Sequence, residues 1–145
     1  MRCISYKAGY KYQLEKEYVA EIPIIPRESI VTEYIKLNED GLLSIKNGYA
    51  WNGPSGPALD TLNFMRGSLV HDALYQLMRN EELDRGQHRK PADELLRKMC
   101  RDDGMSRIRS WCAYFGLRIF GETAAHHKNK KKTHSAPKLC KKAQR

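Results

Sequence analysis

Residues 48–57 read GYAWNGPSGP, three glycines and two prolines gathered around Trp51. Neither a helix nor a central strand runs through such a stretch, because proline lacks the ladder donor and clashes with the preceding helical turn. The segment therefore divides the chain into two parts with different periodicities. It reads as an ordered loop anchored by Trp51, with glycine backbone free to face a ligand. A plain sheet-to-helix connector is the simpler alternative.

Ahead of the loop the pattern is that of strands. Residues 10–22 are rich in Tyr, Val and Ile with charged residues between them, and IPIIP ends the run with two prolines. A second run over residues 29–37 meets a third over 42–45 across NEDG. That spacing predicts a β-hairpin with Asp40-Gly41 supplying the turn.

After the loop the period changes to three and four. Phe64, Met65, Leu69, Ala73, Leu74, Leu77 and Met78 predict an amphipathic helix over residues 64–78. A polar break, RNEELDRGQHRK, leads to a second helix with Pro91 in its first turn and Ala92, Leu95, Leu96 and Met99 as its inward stripe. Gly104 is its expected stop. Ser106 then caps a third helix carrying Ile108, Trp111, Cys112, Phe115, Leu117, Ile119 and Phe120. The expected architecture is α+β, an N-terminal antiparallel hairpin or sheet followed by a small helical unit. It forms a single domain over residues 1–121, followed by a flexible Lys-rich tail over 122–145.

With 145 residues the chain suits one domain, and no run approaches the ~18 apolar residues of a transmembrane helix. The net charge of +9 is unevenly placed: residues 122–145 hold eight Lys and Arg against one acid, leaving the rest at +2. Basicity concentrated in a tail predicts non-specific, salt-sensitive contact with nucleic acid or with an anionic membrane surface. Cys3, Cys100, Cys112 and Cys140 form no C-x-x-C pair and no disulfide framework. The first residues lack the apolar core of a secretory signal, so a reducing, cytoplasmic location is expected.

Chemistry concentrates on the first helix. His71 and Tyr75 are four residues apart and share a face, while Asp72 is turned ~100° from His71. Asp93 falls near the start of the second helix and reaches the His71 ring if the two helices pack antiparallel. These polar groups stand among Leu69, Val70, Leu74, Leu77 and Leu95, where burial without partners is costly, so they should be partners of one another. The result is either a structural hydrogen-bond network or an active site in which a carboxylate holds one imidazole nitrogen and leaves the other as a base.

Metal readings divide by ligand type. His71 is the first histidine in the chain, which disfavours a phosphohydrolase needing another upstream of its His-Asp pair. His126, His127, His134 and Cys140 have separations unlike those of a zinc finger and lie among lysines. A calcium site is more credible: Asp72 supplies a carboxylate, and Asn52, Gly53 and Ser55 supply side-chain and backbone oxygens. Asp60 is a further candidate, or a cap of the segment that follows it.

The order of SGP at residues 55–57, LVHDALY at 69–75, R-x-x-A-D from Arg89 to Asp93 and GLRIFG at 116–121 resembles an uncharacterised family of phage and bacterial proteins, domain of unknown function thirteen fifty-three. The resemblance covers about residues 20–121 and implies a phage-type protein, acting in the host cytoplasm or in the virion, with a phage or host protein as partner. A more distant similarity joins H-D-x-x-Y and the later aspartate to phospholipases A₂ of secreted and parvoviral type. It implies that His71 is the general base, Asp72 a calcium ligand, Asp93 the group that orients His71, and Tyr75 a hydrogen-bond donor to Asp93. A phospholipid ester would then be the substrate. A non-enzymatic phage accessory or virion-associated binding protein, with the cluster as specific core, is the alternative.

Overall fold

The computed structural model describes residues 4–6, 11–53, 62–126 and 134–136. In chain order the elements are β1 (Ile4–Tyr6), β2 (Tyr12–Gln13), β3 (Tyr18–Glu21), β4 (Ile30–Val31), β5 (Ile35–Leu37), β6 (Leu42–Ile45), β7 (Ala50–Trp51), α1 (Leu62–Arg79), α2 (Arg85–Asp102), α3 (Arg107–Ala125) and β8 (His134–Ala136). The architecture is α+β: antiparallel strands first, then three helices.

The main sheet has the order β3-β6-β5-β4. Its centre is the expected hairpin, with Ile35 opposite Ile45 and Leu37 opposite Leu43. Those four side chains are buried while Lys36 between them is exposed, the period-two alternation of a sheet with one covered face. The turn closes through Asn38 N–H to the Leu42 carbonyl at 3.0 Å. Gly41 adopts φ +85°, and a Cβ there would lie 2.5 Å from the Ile22 carbonyl oxygen, so both conformation and space demand glycine.

Two runs expected as continuous strands are broken. Within residues 10–22, β2 pairs with β7 and β3 pairs with β6, so the chain changes partner near Leu14, whose N–H and carbonyl bond Tyr49 and Gly48. Within residues 29–37, Thr32 reverses the chain between β4 and β5: its N–H donates to the Ile35 carbonyl at 2.8 Å and its hydroxyl accepts from the Ile35 N–H at 3.0 Å. Periodicity fixes which residues are extended but not where a strand exchanges partners.

The second helix also departs from expectation. Residues 85–90, expected within the polar break, form the first turns of α2, and Pro91 lies in its interior. The reason is Asp84, whose carboxylate accepts from the Gly86 N–H at 3.2 Å and caps the helix six residues earlier. The stop is as expected, with Gly104 at φ +96° just past the C-cap Asp103. Ser106 caps α3 through the Arg109 N–H at 3.2 Å. That helix continues past Gly121 to Ala125, and within the basic segment β8 pairs with β1.

α1 is the centre of the fold. It is buried through most of its length, from Phe64 to Met78, rather than along one stripe. Leu69, Val70, Ala73, Leu74 and Leu77 join the sheet's Ile35, Leu37, Leu43 and Ile45, and Ile24 of the β3–β4 connection, in the principal core, which also takes in Ala92, Leu95 and Met99 of α2. Phe64 joins Leu96, Cys100, Met105 and Ala113 in a second cluster between the helices. Trp51 is buried in the principal core, and its indole N–H donates to the Ser68 hydroxyl at 3.2 Å, tying the loop to α1 as expected. No helix among the described residues is long and apolar enough to cross a membrane.

Candidate active site

α1 and α2 carry the His-Asp pair. His71 Nε2 lies 2.8 Å from Asp93 Oδ1, and the Tyr75 hydroxyl donates to the same oxygen at 2.6 Å. The expected four-residue spacing places the His71 and Tyr75 rings together, with centroids 4.0 Å apart. An ionised carboxylate only accepts hydrogen bonds, so in the neutral ring Nε2 carries the proton and Nδ1 holds the lone pair. Nδ1 is 3.9 Å from Asp72 Oδ1, within reach of its charge but beyond hydrogen-bond length.

α3 completes the cluster through a residue that the sequence pattern does not single out. Arg118 Nη1 donates to Asp93 Oδ2 at 3.0 Å, so both carboxylate oxygens are engaged and Asp93 is fully buried. Arg89 holds α3 in place, donating to the Leu117 and Arg118 carbonyls and to Glu122 Oε2. Gly121 is where α3 passes closest to the site: a Cβ there would lie 2.7 Å from the Tyr75 hydroxyl and 3.4 Å from Arg89 Nη2. A signal for Arg118 does exist. It falls on the same face as the small residues Gly121 and Ala125, and a cation beside such a buried stripe needs an anion.

In front of the imidazole is a mainly apolar pocket of about 390 Å³. His71, Asp72, Tyr75 and Ser68 of α1 form one wall, Gly53 lies at its edge, and Gly116, Leu117 and Phe120 of α3 are among the residues opposite. The Asp72 side chain is 30% exposed whereas that of His71 is 6% exposed, so the carboxylate is the more open of the two. An apolar pocket with a few convergent polar groups is the usual form of a small-molecule site.

The charges reinforce this geometry. Burial opposes a charge on His71, but the Asp72 and Asp93 carboxylates outweigh it and raise the ring above the ordinary histidine range. Burial likewise opposes ionisation of Asp93, yet the bonds from His71, Tyr75 and Arg118 hold its carboxyl below the usual range. Burial and Asp93 together push the Tyr75 hydroxyl up, so it stays protonated and donates.

A stability window follows. Asp93's contribution is present above the unfolded carboxylate pKa, ~3.9, and is lost as pH falls through its lower folded value. The contribution of His71 is present below the unfolded imidazole pKa, ~6.5, and is lost as pH rises through its higher folded value. Urea unfolding in a chelator should therefore show greatest stability between about pH 4 and 6.5. A stability that climbs steadily to pH 9 would contradict the His71 assignment.

The predicted site residues separate into groups. His71, Tyr75 and Asp93 are brought into contact, and Asp72 and Gly53 share their pocket. Asp93 lies well inside α2 rather than near its start. Asn52 is exposed and does not line the pocket. Ser55 and Asp60 lie outside the described residues, as do His127 and Cys140 of the zinc alternative; His126 is the C-cap of α3. Comparison of the chain with known protein families, with curated proteins and with solved structures finds no match.

Proposed function

We propose that this protein is a hydrolase of carboxylic esters, lipid esters among them, in which His71 is the general base and Asp93 fixes its tautomer and orientation. The observation that carries the reading is the division of the imidazole between a buried carboxylate on Nε2 at 2.8 Å and a mainly apolar pocket beside Asp72. Nδ1 takes a proton from water as the water oxygen bonds to the ester carbonyl carbon. The tetrahedral intermediate then expels the alkoxide, and His71 returns the proton to it. Tyr75 and Arg118 keep Asp93 ionised and in place during both transfers.

Calcium, which takes oxygen ligands, is the ion we assign to the Asp72 carboxylate, although the described residues place no group of three His, Cys, Asp or Glu side chains to hold a metal. Asp72 is the one carboxylate lining the pocket among the described residues, so the remaining oxygens come from backbone, including that of Gly53, and from water, a ligation calcium accepts. Bound there, the ion supplies polarisation of the ester carbonyl and charge for the oxyanion. Calcium titration by calorimetry should give a saturable heat that disappears in Asp72→Asn. The same samples, assayed on p-nitrophenyl butyrate and on dispersed phospholipid, should lose activity with the heat. Wild-type protein that neither binds calcium nor cleaves either ester would sink the proposal.

One observation favours a second reading. Asp93 has both oxygens paired and His71 is almost fully enclosed, as expected of a structural network in a phage accessory or virion-associated binding protein. The first reading, unlike the second, requires calcium and His71 to control an activity.

A further inference from the structure

α3 turns its large apolar side chains away from the protein. Its buried residues are Ser110, Ala113, Gly121 and Ala125, all small, while Ile108 is 78% exposed, Phe115 55%, Ile119 69% and Phe120 76%. At ~100° per residue, Ile108, Phe115 and Ile119 form the middle of one face, with Trp111 about 60° to one side and Phe120 about 120° to the other, towards the pocket. An amphipathic helix laid on its own protein would show the reverse. A contiguous exposed apolar face of this kind marks a docking surface.

The charge around that face favours one occupant. α3 carries Arg107, Arg109 and Arg118 against Glu122; Arg118 is committed to Asp93 and Glu122 to Arg85 and Arg89, and the Arg97 guanidinium lies 3.5 Å from the centre of the Trp111 ring. The chain that follows α3, residues 127–145, adds eight Lys and Arg and has Leu139 as its one large aliphatic residue, so it is too polar to cover the face itself. Anionic lipid answers both features, with apolar side chains entering the acyl boundary, Trp111 at the headgroup level, and the exposed Arg107 with the lysines that follow α3 at the phosphates.

We propose that the outward face of α3 seats the protein on anionic lipid. Phe120, 76% exposed, lies between this face and the His71 pocket that it lines, so docking brings the pocket near the lipid surface. The proposal does not depend on His71 being catalytic, and its test measures no activity.

The test is co-sedimentation of the full chain with sucrose-loaded vesicles of phosphatidylglycerol or of phosphatidylcholine. It compares wild type with the charge-neutral double variant Phe115→Ser, Ile119→Ser. Both positions are exposed, so an unchanged circular dichroism spectrum is expected. Binding should favour phosphatidylglycerol and weaken at least about tenfold in the double variant at constant salt. Conservative replacement of both residues by leucine should restore it. Three results would overturn the proposal: no binding to phosphatidylglycerol, equal binding by the double variant, or a wild-type dimer in sedimentation equilibrium that the double variant dissolves.

Discussion

Replacing Asp93 with alanine should lower the free energy of unfolding by about 3–5 kcal/mol, the range for removing one partner of a buried ion pair. The carboxylate is fully buried and accepts from His71, Tyr75 and Arg118. Its removal leaves an imidazole N–H and a phenol without acceptors in the interior and releases the α3 arginine. Asp93→Asn should cost less, because its amide oxygen still accepts from Tyr75, although the lost charge frees both His71 and Arg118. Urea unfolding at pH 6, inside the stability window, measures both variants. Equal and small losses, below about 1 kcal/mol, would show that the cluster does not hold the three helices together.

The contact on which that effect rests is legible in the amino-acid sequence. Four-residue spacing places His71 and Tyr75 on one face, and polar groups among Leu69, Val70, Leu74 and Leu95 require one another as partners. The hairpin at Asp40-Gly41, the Ser106 cap and the Trp51 anchor are legible for similarly local reasons. Long-range choices are not. Asp84 competes with Pro91 as the start of α2, and only the packed helix shows that the cap prevails over the internal proline. Arg118 beside the small residues Gly121 and Ala125 calls for an anion, but which one is not legible because its partner is 25 residues away on another helix. The apolar residues of α3 mark it as a helix, yet periodicity cannot tell which side of a helix meets the protein. Burial of Ser110, Ala113 and Gly121 decides it: Ala113 packs with Phe64 and Leu96, and Gly121 leaves room for Tyr75 and Arg89.

His71→Gln separates the structural role of the cluster from the chemical one. Glutamine keeps a donor for Asp93 and a comparable length, so the unfolding free energy should fall by only about 1–2 kcal/mol. If His71 removes a proton from water, ester hydrolysis should fall by roughly 10²–10⁴-fold, the usual contribution of a positioned general base. The pH profile supplies an independent check. A base works only after losing its own proton, and the Asp93 carboxylate on Nε2 favours the protonated ring. The wild-type rate should therefore climb with pH as His71 loses its proton, while the residual rate of the variant lacks that inflection. The same rise in pH withdraws the contribution of His71 to stability, so activity should increase where the fold begins to weaken. That opposition belongs to a histidine kept buried beside two carboxylates for its chemistry. A core histidine kept only for stability would show the second trend without the first. Hydrolysis retained within tenfold in His71→Gln, with the stability loss as expected, would assign the cluster to the fold alone.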